Sequence, residues 1–254
     1  MRSGSHSSIR LFILDRMDTS HLEFLRVYEW KNKIRLGINM DGGYVIADLS
    51  GHYDCYVSAG VGREESFTKD FLARYPFDEF NTYAIDGSID EYPIEYTNNV
   101  SFIKKNISGI NDSSSTNLAS LTDRYSNIFL KIDVEGGEFP WIQSLSKEQL
   151  SKFKQVVMEY HGSHNDSWGS PYSIKKACYA KMAETHYLVH AHGNNARSAT
   201  MYIPNTLEVT YIRKDLVEGD LPLNTTPLPI DGIDYPNNIN RPDHRMNIYP
   251  FVQK

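Results

Sequence analysis

Cysteine is scarce in this chain: Cys55 and Cys178 are the two in 254 residues. Each sits alone in a segment expected to be core, which argues against a disulfide framework and for a reduced, intracellular setting. Long apolar runs are missing too. No stretch approaches the roughly 20 residues that a membrane-spanning helix needs. Ile9 to Leu14 is too short an apolar segment for a secretory leader, so the expected location is the cytoplasm, the host's if the chain is viral. Basic charge is in deficit: 26 Lys and Arg stand against 32 Asp and Glu, a net charge of -6. That balance offers no footprint for nucleic acid or an anionic membrane. There is no internal repeat, no Walker lysine and no third glycine of a dinucleotide fingerprint. No Asp-x-Asp stands at an expected strand end, which counts against a metal-dependent glycosyltransferase.

What is present is apolar content of 40%, enough to bury one sizeable core. Met1 to Ser8 is polar and reads as a tag remnant or a linker. Thr19 to Lys33 has Leu22, Leu25 and Tyr28 at helical spacing behind a Thr-Ser start, and predicts an accessory helix. Residues 1–35 are therefore expected as linker and helix, 36–215 as the main domain, and the Pro- and Asn-rich 216–254 as an irregular tail. Within the main domain, Asp41-Gly-Gly between apolar runs predicts a hairpin turn. Tyr53 to Ser58 predicts a strand, Gly60 and Gly62 a turn open to a ligand, and Ser66 to Tyr75 a helix. A second strand ends at Asp86, where a carboxylate commonly receives ribose hydroxyls. Further strands are expected at Val100 to Lys104, Ile128 to Val134, Gln155 to His161, Tyr187 to Ala191 and Leu207 to Ile212. Helices alternate with them, so the sheet should be mostly parallel. The short link between the last two strands permits an antiparallel hairpin, since a parallel crossover needs a dozen residues or more.

The chemistry gathers at strand carboxyl ends, where open α/β sheets bind ligands. Asp133, Glu135, Glu159, His161 and His192 all fall there. Oxygen donors with a histidine suit Mg²⁺ or Mn²⁺ better than a structural zinc cage, and the expected metal set is Asp133, Glu159 and His161. Asp133, His161 and His192 are the catalytic candidates, since a histidine near neutrality can take a hydroxyl proton. A helix-start or supporting role accounts equally well for Glu135 and Glu138. His164 and His190 read as surface or core histidines.

Lys131-Ile-Asp-Val-Glu-Gly-Gly-Glu resembles the signature of the FkbM-like S-adenosylmethionine-dependent O-methyltransferases. Asp41-Gly-Gly-Tyr-Val, Ser58-Ala-Gly-Val-Gly, His192-Gly-Asn-Asn and Leu207-Glu-Val-Thr-Tyr are similar to one branch of that family, in matching order. The resemblance implies a Rossmann-like class I methyltransferase fold: an α/β protein with a seven-stranded, mostly parallel sheet in the order 3-2-1-4-5-7-6, strand 7 antiparallel, with helices on both faces. It also implies a cofactor site. Gly60 and Gly62 would lie at the methionine part, Asp86 at the ribose, and Asn106, Ile107 and Ser108 near adenine, with Ser58, Ser66 and Gly87 as further cofactor-binding positions. Asp41, Gly42, Gly43 and Tyr44 would close over the amino acid end, and Asp133 would stand beside the sulfonium. Ala59 and the Ala84-Ile85 pair depart from the family pattern without removing a group the reaction needs. The implied acceptor is a small molecule or glycan, with a deoxysugar hydroxyl such as that of rhamnose as the target. The implied setting is the methyltransferase module of a viral glycan-synthesis protein, fused to or acting with glycosyltransferase domains. An NAD-dependent sugar oxidoreductase and a non-catalytic glycan-binding domain are the rival readings.

Overall fold

A computed structural model describes residues 20–75, 77, 81–93, 95–96, 100–200 and 203–253. The linker expected at Met1 to Ser8 and the Thr19 start of the accessory helix lie outside the described residues. Ser20–Leu25 forms a short 3₁₀ helix, and the helix ends there instead of running to Lys33. Beyond it the backbone finds partners elsewhere: Tyr28 N donates to Leu188 O and Glu29 N to Pro222 O, both at 2.8 Å. Those donors would otherwise point back along a helix.

The next two strands, β1 (Lys33–Leu36) and β2 (Tyr44–Ala47), pair antiparallel as the expected hairpin. There follow β3 (Cys55–Ala59), α1 (Ser66–Arg74), β4 (Thr82–Ile85) and β5 (Ser101–Ile103). Two short strands, β6 (Asn106–Ile107) and β7 (Ser115–Thr116), precede α2 (Ala119–Thr122) and β8 (Ile128–Ile132). The chain continues through α3 (Glu138–Ser144), α4 (Lys147–Leu150), β9 (Phe153–His161), α5 (Tyr172–Thr185) and β10 (His186–Gly193). A small pair, β11 (Ala199–Thr200) with β12 (Ile203–Pro204), leads to β13 (Thr206–Arg213).

The seven-stranded sheet runs β5-β4-β3-β8-β9-β13-β10. Numbered from β3, that is the expected order 3-2-1-4-5-7-6. β3, β4, β5, β8 and β9 are parallel, while β13 pairs antiparallel with both β9 and β10. Alternation along β8 sorts its side chains between two apolar layers. Ile128, Leu130 and Ile132 join the layer containing Phe139, Trp141, Tyr160, Tyr179 and Met182, whereas Phe129 joins Tyr44, Tyr56, Phe67 and Phe71. Both faces of the sheet are thereby covered, which a parallel sheet requires. No helix among the described residues is long and apolar enough to cross a membrane.

Two features aim the rest of the molecule at the strand ends. The buried Gln155 amide bonds both backbone groups of Ala47 and the Tyr53 hydroxyl, and Thr210 donates to Val45 O. These contacts fix the β1–β2 hairpin across β9 and β13 and bring Tyr44 to the end of β8. The tail is the second. From Val217 to Gln253 it carries no helix or sheet strand among the described residues. Yet Leu228, Met246 and Phe251 are fully buried: widely spaced apolar anchors fasten to the core a tail most of whose other residues stay partly or wholly exposed.

Candidate active site

Three parallel strands end around one cleft of about 210 Å³, lined by Gly60, Ile85, Asp86, Gly87, Ser88, Lys105, Asn106, Ile107, Asp133, Val134 and Glu135. β3 turns away at Gly60, whose backbone has φ +79°, and a Cβ there would lie 1.6 Å from Asp133 O. The residue must be glycine because the ends of β3 and β8 touch. Gly62, also at positive φ, has no atom within 4 Å of a built Cβ, so its backbone faces open space. Asp86 organises the turn between them. Its Oδ2 accepts from Val61 N and Gly62 N at 2.9 Å, and its Oδ1 from Ser88 N and Ser88 Oγ at 2.7 and 2.6 Å. Partial burial pushes its pKa up, but these hydrogen bonds outweigh that and lower it. All four acceptor positions of the carboxylate are taken, so a bound diol would replace Ser88 contacts.

The cleft wall at Asp133 continues into a second group of side chains. Tyr44 donates its hydroxyl to Asp133 Oδ2 at 2.9 Å. His161, at the end of β9 and 3% exposed, has Nδ1 bonded to Glu138 Oε1 at 2.9 Å. Glu138 is fully buried and also receives Val134 N and Gly136 N, so it closes the turn and fixes the imidazole together. The opposite ring atom, Nε2, faces Glu135 at 3.4 Å, Glu159 at 3.6 Å and Asp133 at 3.9 Å. With the proton on Nδ1, a lone pair pointing at three carboxyl groups is favourable only if a cation lies between them, either a proton or a metal ion. Burial draws the His161 pKa down, and Glu138, Asp133 and Glu135 raise it overall. Asp133 is held low against its desolvation by Lys131 and His161. Glu159 goes the other way: burial and the charges of Asp133 and Glu208 push it well above the carboxylate range.

Asp133, Glu135 and His161 each offer a ligand atom within 4.8 Å of one another. Glu135, set aside on sequence grounds, is thus nearer to His161 Nε2 than Glu159 is. It reaches there from a left-handed backbone, φ +53°, a conformation sequence patterns do not announce. Glu138 has the supporting role foreseen for it.

The other expected residues divide. Gly60, Asp86, Gly87, Asn106, Ile107 and Asp133 meet in the cleft. Ser108 lies just beyond it, its N–H bonded to Thr116 O. Ser58 and Ser66 serve the scaffold: Ser58 donates to the buried Glu65, and Ser66 Oγ accepts from Ile38 N. Gly42 and Gly43 are tight places in the hairpin, against Glu64 and against Ile38 O with Arg35. Asp41 accepts from Asn237 of the tail. His192 stands apart from Asp133 and His161, with which it shares no hydrogen bond or ion pair among the described residues. Its ring bridges Glu208 at 2.9 Å and Asp243 at 3.0 Å. Glu208, Asp243, Lys131 and Asn194, whose amide donates to Glu159 Oε1 at 2.8 Å, were missed on sequence grounds. Glu208 could have been found, since it alternates onto the face shared with Thr206 and Thr210 inside Leu207-Glu-Val-Thr-Tyr. Asp243 lies in irregular chain and gives no such signal.

Compared with known proteins, the chain matches the family model described as methyltransferase FkbM domain over residues 21–194, well over half its length. No curated protein matches it.

Proposed function

The chain belongs to the methyltransferase FkbM family, and from that membership we propose that it moves a methyl group from S-adenosylmethionine to a sugar hydroxyl. One observation carries the proposal: Asp133 and Glu135 line the cleft at Asp86 and at the same time face His161. A donor in the cleft and a hydroxyl at His161 would share one wall. Bound there, S-adenosylmethionine supplies an electrophilic methyl on a sulfonium. The residues fit it. The lack of a side chain at Gly87 leaves room beside Asn106, where a Cβ would lie 2.3 Å from Oδ1, and Gly62 leaves backbone open next to Asp86.

Asp133, steadied by the Tyr44 hydroxyl, would take the proton of the acceptor hydroxyl; the bound donor would supply the methyl and leave as its neutral thioether. Holding both reactants against one wall supplies much of the acceleration, by proximity and orientation. His161, fixed by Glu138, would present Nε2 either as a ligand to an ion that steadies the developing charge or, when protonated there, as a donor to the acceptor oxygen. Asp133, Glu135 and His161, with Glu159 beside them, would hold a divalent ion. Their donors are mostly oxygen, suited to Mg²⁺ or Mn²⁺, and the ion would lower the pKa of the acceptor hydroxyl. His192 acts from the adjoining wall, holding Glu208 and Asp243 in place. The acceptor side is acidic and hydroxyl-binding, which suits a deoxysugar such as rhamnose in a glycan assembled by glycosyltransferase domains. Two free, buried cysteines fit a cytoplasmic setting. The catalytic domain on this reading is 36–215, preceded by the linker and accessory segment 1–35 and followed by the tail 216–254.

Calorimetry with S-adenosylmethionine is the first test, and no binding at millimolar concentrations would overturn the reading. A methyl-transfer screen over methyl pyranosides follows, with and without Mn²⁺ and after chelation. Asp133→Ala should lose roughly 10²- to 10⁴-fold of the rate. Full turnover in that variant removes Asp133 from the mechanism, and a rate indifferent to chelation removes the metal.

A further inference from the structure

Trp168 breaks two expectations for a large aromatic residue. It is 37% exposed, and its backbone is left-handed with φ +55°, a conformation that costs any residue with a Cβ. The fold nonetheless holds it in place. Lys175 Nζ, buried on α5, grips the carbonyls of His161, Gly162 and Ser167 at 3.3, 2.8 and 2.7 Å, and so ties the loop to the end of β9. Asp166 accepts from Tyr172 N at 2.6 Å at the loop's other end. Gly136, in the acidic turn, has no room for a side chain because Trp168 is there: a Cβ would meet Trp168 O at 2.8 Å and Trp168 Cβ at 3.1 Å.

These restraints set the indole beside the reaction centre. Its ring centroid is 4.8 Å from that of His161. Arg197, an exposed residue of the loop after β10, places its guanidinium 5.5 Å from the ring centroid. That guanidinium makes no hydrogen bond or ion pair among the described residues, so its N–H donors are unused. An exposed indole with unused planar donors alongside is complementary to one kind of ligand: a ring with an apolar C–H face and hydroxyls around its edge.

We infer that Trp168 is the acceptor platform, stacking on the apolar face of a pyranose ring while Arg197 donates to its hydroxyls. One hydroxyl of the ring then lies at Asp133 and His161. The inference rests on the methyl-transfer reading and adds to it the residue that selects a ring over an open-chain polyol. A shield that merely keeps water from His161 would alter kcat for every acceptor alike; a platform acts on acceptor KM.

The test uses the full chain and Trp168→Ala, Trp168→Phe and Arg197→Ala. Calorimetry with S-adenosylmethionine comes first and reports folding and donor binding together. For whichever methyl pyranoside the wild type methylates, Trp168→Ala should raise acceptor KM roughly tenfold or more, with donor affinity held within twofold. Trp168→Phe should recover most of the loss, and Arg197→Ala should raise KM less. The same pyranoside, titrated with S-adenosylhomocysteine present, should perturb the emission difference between wild type and Trp168→Phe, whereas glycerol and mannitol should not. Donor binding with turnover, but an acceptor KM in Trp168→Ala within twofold of wild type, overturns the platform and leaves the methyl-transfer reading standing. Turnover of open-chain polyols in preference to pyranosides overturns it as well. Failure of donor binding in the wild type is a different result, and sinks the methyl-transfer reading itself.

Discussion

Glu138 shows how much of the site's geometry depends on one fully buried side chain. Its carboxylate divides its acceptors between the backbone of the acidic turn and His161 Nδ1. The first contacts shape the loop that carries Glu135; the second decides which imidazole nitrogen faces Asp133. Replacing such an orienting carboxylate typically costs 10- to 100-fold in metal affinity or activity. Glu138→Gln keeps the shape but removes the charge that favours a proton on Nδ1. The expected result is a folded protein with unchanged S-adenosylmethionine affinity and a kcat lower by roughly that factor. Donor calorimetry beside steady-state kinetics checks it, and an unaltered kcat would mean that the ring is oriented by its Trp168 contact instead. Asp86 makes the complementary point. Its role at the glycine turn is visible in its four hydrogen bonds; under the proposed function a ribose would have to displace some of them.

At the scale of elements, two glycines that look alike in sequence carry different burdens. Gly60 and Gly62 both have positive φ, but Gly60 has the Asp133 carbonyl where its side chain would be, and Gly62 has nothing. Gly62→Ala should cost about 1–2 kcal/mol of backbone strain, lowering Tm by roughly 2–8 °C at this size. Gly60→Ala forces β3 and β8 apart and should cost upwards of about 4 kcal/mol or leave the chain unfolded; equal losses in a thermal melt would refute the distinction. The same contrast explains what was legible. Strands showed themselves by apolar runs and their ends by acids and glycines, so the strands themselves and the Asp133–Glu159–His161 neighbourhood could be read from the chain, whereas the sheet order and cleft positions such as Asn106 and Ile107 were expected only through the family resemblance. The extended path after Leu25 could not, because Leu22, Leu25 and Tyr28 have helical spacing while their backbone partners, Leu188 and Pro222, are far away in sequence. Nor could Glu135, whose place depends on a left-handed turn, or Trp168, whose position depends on a lysine clamp.

Across the whole molecule, the tail is joined to the sheet by charge as well as by apolar anchors. His192 on β10 lies between Glu208 of β13 and Asp243 of the tail, and Asn237 ties Glu208 to Asp41 of the hairpin. Burial lowers the His192 pKa, but the bonds to Asp243 and Glu208, helped by the charge of Asp234, raise it to about 10. An unfolded histidine titrates near 6.5. The folded state therefore holds this proton more tightly, and the stabilisation is complete below about pH 6.5 and is lost as the pH rises toward 10. Asp243→Asn removes one of the two carboxylates and should make the protein less stable at pH 6–7. The gap from wild type should then close steadily up to pH 10, where the wild-type ring also sheds its proton. Lys33 and Lys175, each lowered to about 8 by burial, titrate in the same window but in both proteins, so they cancel in the difference. His186 is a separate control. Burial holds it down at about 4, so its contribution is present above 6.5 and is lost only as the pH falls from there toward 4. Urea melts of the two proteins from pH 6 to 10 give the comparison directly. A difference that stays flat or widens with pH would mean that Asp243 holds the tail through its backbone contacts and not through the histidine.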